Sequence, residues 1–243
     1  MIKWLFNELL EVDSTQNVLR KLGAAGVSEG TVVVARRQTA GQGRYGRNWV
    51  SPEGGLYMSL LLRPPPTAAL RSLTQASSLA VARGIKKETG LEASLRWPND
   101  VMVSRRKVAG VIAESNYIGQ GLVFVIVGIG VNCNSKLFPQ DLSDSATSLA
   151  EQKGSEVDIL RLRQAILDAF VPIHEDWIGG RDVVSAAKSI TETIGKQVTI
   201  TMKSGGVREG VAHDIEQAGG LVLDLGDRKL VVQAEDVELL RER

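Results

Sequence analysis

Residues 38–52 of the chain read QTAGQGRYGRNWVSP, and this stretch is the most informative part of the sequence. Closely spaced glycines stand here among two arginines, Arg44 and Arg47. Glycine lets a backbone approach a ligand closely, and arginine offers a permanent charge with a forked set of donors. The stretch therefore predicts a loop that closes around an anion, although a surface turn with solvated charges has the same composition.

The glycines of this loop also match a dinucleotide-binding pattern, but their surroundings do not. Gly41, Gly43 and Gly46 fit G-x-G-x-x-G and follow a strand-like run, TVVVA, at 31–35. In a dinucleotide-binding fold a helix begins inside the motif, so that its N-terminus meets the phosphates. Pro52 and the glycines behind it oppose a long helix here. The chain also lacks a G-x-x-x-x-G-K-[ST] segment, so neither a dinucleotide-binding fold nor a P-loop is predicted.

The composition of the 243-residue chain limits its possible functions. With 29 basic and 28 acidic residues the formal net charge is +1, so no overall field favours nucleic acid. The single cysteine, Cys133, forms no internal disulfide, and only two histidines are present to help hold a zinc ion. No signal peptide is recognisable, and the most apolar run, 121–133, is too short for a membrane span. We expect a cytoplasmic protein with no metal site that binds neither nucleic acid nor membrane.

Hydrophobic periodicity predicts a mixed sheet covered by helices. Strands are predicted at 31–37, 55–63, 93–97, 101–104, 107–115 and 122–131, and helices at 14–26, 70–90 and 158–178. Gly90 should end the second helix, and Pro172 should bend or break the third. Because the fourth and fifth strands form a hairpin, the sheet should contain antiparallel pairs.

The pattern changes near residue 190. From Ile194 onward, short alternating strands are separated by glycine-rich turns and no helix is predicted, which is typical of a small β-barrel. We therefore predict an α+β protein with a larger domain at 1–190 and a small barrel at 191–243. The second unit is short for a domain that folds alone, so it should lean on the first.

Four further segments carry chemical groups. They are DSTQN at 13–17, RWPND at 96–100, KVAG at 107–110 and GIGVN at 128–132. Each alone has an ordinary structural explanation, respectively a helix cap, a turn, a solvated lysine and a strand bulge. Glycine inside a strand also suggests that something approaches the backbone closely.

Together these segments resemble the biotin protein ligases over nearly the whole chain. The loop with W-x-S-P, then R-W-P-N-D, a lysine before [VL]-A-G, and G-[IA]-G-[VI]-N follow the family's order and spacing, with D-S-T near the N-terminus and ATSL at 146–149. The resemblance implies a ligase core like that of class II aminoacyl-tRNA synthetases, followed by a Src-homology-3-like barrel. Lipoate ligases share the fold but lack this loop, and they are the nearest alternative.

Two features depart from other members of that family. D-S-T begins at Asp13, where the bifunctional biotin repressors would need an N-terminal winged helix-turn-helix before it. The expectation is a monofunctional ligase without a DNA-binding arm. Gln42 stands where the commonest family loop, G-R-G-R-x-G-R, has its first arginine, so this loop has one cation fewer.

The resemblance implies two reactions. Biotin's carboxylate attacks the α-phosphate of MgATP and gives biotinoyl-5′-AMP with pyrophosphate. A lysine of a biotin carboxyl carrier domain then attacks the acyl-adenylate. ATP and biotin would be substrates and Mg²⁺ the metal that accompanies ATP, while a homodimer is left open. A non-catalytic protein that only holds biotin or biotinoyl-AMP is the second alternative.

The resemblance also implies a role for each matching residue. Biotin would be bound by Ser14, Thr15, Gln16, Gln38, Gly41, Gln42, Gly43, Arg44 and Lys107, and the adenylate by Arg47, Trp49, Asn99 and Asn132. Among the catalytic residues, Lys107 would bridge carboxylate and α-phosphate, and Arg44 would close the loop over the phosphate. Asp100 would receive or orient the proton of the target lysine.

Overall fold

The computed structural model describes residues 2–65, 68–135, 138–140, 142 and 144–242. The strands of its larger sheet are β1 (Leu5–Val12), β2 (Thr31–Gln38), β3 (Leu56–Leu62), β4 (Ser94–Arg96), β5 (Asp100–Val103), β6 (Arg106–Ile118) and β7 (Gly121–Val131). The helices are α1 (Thr15–Ala24), α2 (Leu73–Thr89), α3 (Leu149–Lys153), α4 (Ile159–Ile178) and α5 (Val184–Lys188).

The larger sheet is mixed, as predicted. Its strand order is β1-β2-β3-β7-β6-β5-β4, in which only β1 and β2 pair in parallel. The sequence did not predict β1, because its apolar residues stand in adjacent pairs, Leu5-Phe6 and Leu9-Leu10, instead of alternating. As an edge strand β1 leaves these side chains largely exposed, so no buried face imposes the alternation.

The core lies between the sheet and the helices α2 and α4. All seven residues of β3 are buried, and β7 lies beside it at the centre of the sheet. Pro172 does not break α4, which continues unbroken to Ile178. Phe170, Ile173 and Trp177 are buried around the proline, and this packing holds the helix together despite the missing backbone donor.

Two tight turns lie on either side of β4 and β5, one before β4 and one after β5. Gly90 ends α2 in the left-handed conformation at φ 75°, as the sequence predicted. Ser104 and Arg105 turn between β5 and β6 with φ of 48° and 64°. Two positive φ values in succession match the twist of a two-residue hairpin, which fixes the pairing of β5 with β6.

The C-terminal strands form a second, wholly antiparallel sheet. They are β8 (Gln197–Met202), β9 (Val207–Ile215), β10 (Leu221–Asp224), β11 (Lys229–Val232) and β12 (Val237–Glu242), in the order β11-β10-β9-β8-β12. One 3₁₀ turn at Ala234–Asp236 interrupts a region for which no helix was predicted. Closure into a barrel and the boundary at 190 stay predictions. In the described ranges no helix is both long and apolar enough to span a membrane.

Candidate active site

A cavity of about 360 Å³ opens where the two sheets meet. Its walls come from the start of α1, the glycine-arginine loop at 38–52, the ends of β4 to β7, residues of the segment between β7 and α3, and β12. The sequence-predicted residues that line it are Ser14, Thr15, Gln16, Gln38, Gln42, Gly43, Arg44, Arg47, Trp49, Asn99, Asp100, Lys107 and Asn132. Residues up to 118 positions apart in the chain (14 to 132) therefore meet in one cavity.

One side of the cavity is a chain of neutral hydrogen bonds. The backbone N–H of Thr15 donates to Oε1 of Gln38 at 2.8 Å, and the Thr15 hydroxyl lies 2.8 Å from that of Ser59. Nε2 of Gln38 donates to the Ser51 hydroxyl at 2.9 Å, which donates to the carbonyl of Trp49. Each group is fixed by its neighbour, so this side is organised before any ligand arrives. We call it the amide wall.

Gly41 lies behind the amide wall and does not line the cavity. A Cβ atom at this position would lie 2.4 Å from the Trp49 carbonyl oxygen and 2.5 Å from Oγ of Ser51. Only glycine therefore lets the loop lie this close to its returning strand. Ser14 precedes α1 as its N-cap but makes no side-chain capping bond, and it is buried at the cavity wall.

Gln16 has a polar group that the protein leaves unpaired. Its side chain is only 4% exposed, and Nε2 has no hydrogen-bond partner among the described residues. The amide lies directly over Gly128 of β7, where a Cβ would come within 2.9 Å of Cδ. Leaving a buried donor unsatisfied is costly, so this N–H₂ group is a strong indication of a ligand acceptor in the cavity.

Two paired glycines of the sheet make a platform for Trp49. Gly110 of β6 lies opposite Gly130 of β7. A Cβ on Gly130 would lie 2.5 Å from Nε1 of Trp49, and one on Gly110 would lie 3.1 Å from Cζ3. The close approach that the strand glycines predicted is therefore made by an indole ring of the protein. Lys107 Nζ lies 5.2 Å from the centre of that ring.

Lys107 and Asp100 form a pair at the cavity. Nζ of Lys107 lies 2.5 Å from Oδ1 of Asp100, and about a quarter of each side chain is exposed. The β5–β6 hairpin places the two residues on adjacent strands. The backbone N–H of Lys107 also donates to the Ser145 carbonyl at 2.8 Å, which fixes the start of its strand. The result is a cation and a carboxylate together in partial contact with solvent.

The two asparagines with a predicted adenylate role lie in different settings. Asn132 is 6% exposed, and its Nδ2 donates to the Thr147 carbonyl at 3.2 Å. This bond ties the ATSL stretch at 146–149 to the end of β7. Asn99 lies across the cavity, where its Oδ1 accepts from Nη1 of Arg44 at 3.5 Å.

The arginines of the loop are held by main-chain carbonyls of the C-terminal sheet. Nη2 of Arg44 donates to the carbonyls of Ala234 at 2.5 Å and Val237 at 2.9 Å. Arg47 donates to the Glu238 carbonyl at 3.1 Å. The guanidinium groups are therefore bonded to a neighbouring part of the protein.

A second connection joins the RWPND segment to the C-terminal sheet. Nη2 of Arg96 lies 3.2 Å from Glu192, and its Nε lies 3.4 Å from Glu242. Lys196 pairs with Glu242 at 2.7 Å. The two cations and two carboxylates balance one another, and they fix the strand that leads to Asn99 and Asp100.

Sequence reasoning missed several residues of this region, namely Tyr45, Ser51, Ser59, Glu192 and Glu242. Ser59 had a detectable signal, since it is a hydroxyl inside the otherwise apolar strand LYMSLLL. The carboxylates had none, because charged side chains are usually solvated at the surface.

Among the described residues, no group of three or more His, Cys, Asp or Glu side chains is placed to hold a metal ion. Mg²⁺ usually keeps several waters and binds through substrate phosphates with one or two carboxylates. A metal that enters together with a nucleotide therefore needs no cage built by the protein, and Asp100 is a carboxylate at the cavity wall.

Comparison with known proteins places the chain in a family. The Biotin/lipoate A/B protein ligase family matches residues 9–132, and the Biotin protein ligase C terminal domain matches residues 193–239. The biotin–[acetyl-CoA-carboxylase] ligase of Paracoccus denitrificans is 33% identical over 94% of this chain and 98% of its own. The bifunctional ligase/repressor BirA of Bacillus subtilis is 33% identical over 94% of this chain and 72% of its own.

A solved structure agrees. The biotin protein ligase from Aquifex aeolicus in complex with biotin and ATP superposes with a TM-score of 0.85 at 31% identity, covering 98% of this chain and 99% of the other. The chain therefore belongs to the biotin protein ligase branch of the Biotin/lipoate A/B protein ligase family.

Proposed function

We propose that this ligase converts biotin and ATP into biotinoyl-5′-AMP and transfers biotin to a lysine of a biotin carboxyl carrier protein. One observation carries the proposal: the unpaired amide of Gln16 and the Lys107–Asp100 pair line the same cavity. The amide suits a neutral polar ring such as the ureido group of biotin. The cation suits the negative charge that develops where a carboxylate meets a phosphate.

The first reaction must bring a carboxylate against a polyanion. A carboxylate oxygen forms a bond to the α-phosphorus, the bond to the β-phosphate oxygen breaks, and pyrophosphate leaves. No proton needs to move, so the site requires cations and backbone donors and no nucleophilic side chain. Lys107 supplies a cation at the cavity wall. Arg44 is a second cation once its guanidinium leaves the carbonyls that now hold it.

The second reaction needs a neutral amine. The carrier lysine has a pKa near 10.4 in water and must lose a proton before its nitrogen attacks the acyl carbon. The carbon–oxygen bond to the phosphate then breaks and AMP leaves. Asp100 is the carboxylate we assign to receive or orient that proton, because it lies at the open cavity beside Lys107.

The comparisons support the choice of the carrier and of the small substrate. A relative at 33% identity is named a biotin–[acetyl-CoA-carboxylase] ligase, which supports a carboxylase carrier as the protein substrate. Lipoate is the alternative small acid, because the matched family includes lipoate ligases. A protein that only binds biotin or its adenylate is the alternative without catalysis.

One experiment separates these three functions. The purified protein is mixed with MgATP, an apo carrier domain and either biotin or lipoate, and the intact carrier is weighed while pyrophosphate is assayed. We expect a mass gain and pyrophosphate release with biotin alone, and no gain on a carrier whose acceptor lysine is replaced by arginine. A gain only with lipoate would reverse the substrate, and binding of biotin without pyrophosphate release would leave a binding protein.

Two further expectations belong to this proposal. Because the net charge is only +1, the chain should bind no specific operator, which footprinting with the purified protein tests. A cytoplasmic location stays a prediction from the single cysteine, and a homodimer stays open until the mass in solution is measured.

A further inference from the structure

Tyr45 is the residue at the tip of the glycine-arginine loop, and no role has been assigned to it so far. Its backbone is left-handed at φ 59°, an uncommon conformation for a side chain of this size. Its ring lies 4.8 Å from the guanidinium carbon of Arg44 and 4.1 Å from Nζ of Lys203. Two cations therefore flank one aromatic ring where the loop meets the C-terminal sheet.

The hydroxyl of Tyr45 completes a holding site for Arg44. It donates to the carbonyl of Ala234 at 2.8 Å and accepts from Nη2 of Arg44 at 2.8 Å. The same nitrogen donates to Ala234 and Val237. The two hydrogens of Nη2 are thus shared among one hydroxyl and two carbonyl oxygens, all neutral acceptors. We call this arrangement the arginine latch.

We propose that the latch competes with the ligand for Arg44, and that Tyr45 is a positioning residue which stabilises the competing state. A phosphate oxygen carries a full charge, and a hydrogen bond from arginine to it is about twice as strong as one between neutral groups. The other terminal nitrogen, Nη1, already points to Asn99 across the cavity at 3.5 Å. A phosphate bound in the cavity draws the guanidinium from the carbonyls toward itself.

The proposal rests on the proposed function in naming an adenylate as the ligand. It predicts a change in affinity opposite in direction to the change expected from a merely structural role. Apparent affinity falls by the fraction of protein that is competent to bind. Removing the Tyr45 hydroxyl weakens the latched state, raises that fraction, and tightens binding. A tyrosine that merely supports the loop would weaken binding when altered.

The test compares Tyr45→Phe with Tyr117→Phe, a change at an exposed tyrosine of β6. Affinity is measured for biotinol-5′-AMP, a stable analogue that keeps the phosphate, and for biotin, which has none. We expect Tyr45→Phe to lower the Kd of the analogue by about 3- to 10-fold, the size of one net hydrogen bond, and to lower the Kd of biotin by less, because biotin offers only its carboxylate. Equal or weaker binding of the analogue overturns the proposal, as does an equal gain with Tyr117→Phe.

A second measurement needs no ligand. Trypsin cuts after arginine, and in the wild type Arg44 and Arg47 are held on carbonyls of the C-terminal sheet. Tyr45→Phe should speed cleavage at both positions in the free protein, with an unchanged melting temperature. Unchanged cleavage contradicts the latch whatever the substrate is. If the wild type binds no analogue at all, the proposed function fails and the cleavage rates alone decide whether the latch exists.

Discussion

The two sides of the cavity are built on opposite principles. The amide wall, made by Thr15, Gln38, Ser51 and Ser59, is neutral, mostly buried and internally bonded. The arginine side is more exposed, and its bonds run to main-chain carbonyls of another sheet. The wall can recognise a ligand without moving, whereas the arginines must exchange partners to reach one.

This difference has a physical reason. A neutral polar group costs little to bury once it is hydrogen-bonded, so the wall can be fixed in advance. A guanidinium is costly to bury without an anion, and here the two guanidinium groups are bonded to carbonyl oxygens in a less buried part of the cavity wall. Substitutions on the two sides should therefore change different quantities.

The largest effect is expected from Lys107, the cation that is paired with Asp100 at the cavity wall. Lys107→Ala should slow formation of biotinoyl-AMP by about 10²- to 10³-fold, because it removes a charge aimed at the transition state. Supplied with pre-made biotinoyl-AMP, the variant should recover much of its transfer rate. Single-turnover assays of both steps measure this, with Lys86→Ala on the exposed face of α2 as control. Equal losses in both steps would show that Lys107 is not specific to the first.

A substitution in the amide wall should lower both the stability of the protein and its affinity for biotin. Thr15→Val keeps the side-chain shape but removes the hydroxyl that contacts Gln38 and Ser59. Leaving buried polar groups unpaired should lower the free energy of unfolding by about 1–3 kcal/mol and weaken biotin binding. Denaturant titration and calorimetry measure both, with Thr201→Val of β8 as control. A variant that loses biotin affinity but keeps its full stability would show that the hydrogen bonds of the wall do not stabilise the folded protein.

A substitution on the arginine side should shorten the time for which biotinoyl-AMP stays bound. Arg44→Gly removes the guanidinium from both the latch and the phosphate, and the bond to phosphate is the stronger one. The dissociation rate of biotinoyl-AMP should rise by about tenfold or more, and the escaping anhydride should biotinylate stray lysines. Arg181→Gly, in a loop after α4, serves as control. If the variant retained biotinoyl-AMP as long as the wild type does, the loop would not be what covers the bound intermediate.

The smallest effect lies outside both sides and tests stability alone. Burial between Phe170 and Trp177 lowers the pKa of His174, against the opposing pull of Glu29 at 3.8 Å. The unfolded chain therefore takes up the proton first as pH falls. Stability should be full above pH 6.5 and decline below it, by at most about 1.4 kcal/mol per pH unit. Denaturant titrations from pH 8 to 5 should show a flatter profile for His174→Phe than for His213→Phe.

Much of the fold could be read from the sequence because its patterns are local. The apolar runs predicted six of the seven strands of the larger sheet, β2 to β7, and Gly90 ends α2 as its turn conformation requires. Strand β1 escaped prediction because an exposed edge strand needs no alternation. Pro172 failed to break α4 because tertiary packing outweighed one missing hydrogen bond.

The sequence by itself determined the chemistry of the site. A lysine, an aspartate, arginines among glycines and a cluster of small polar residues specify what the cavity can bind, because these side chains keep their charge and donors wherever they are placed. Only the tertiary structure decided that Trp49 fills the platform of Gly110 and Gly130. It alone decided that Arg44 bonds to a carbonyl 190 residues away. Every residue has the same backbone carbonyl, so no sequence pattern can mark which of them a folded chain will present to an arginine.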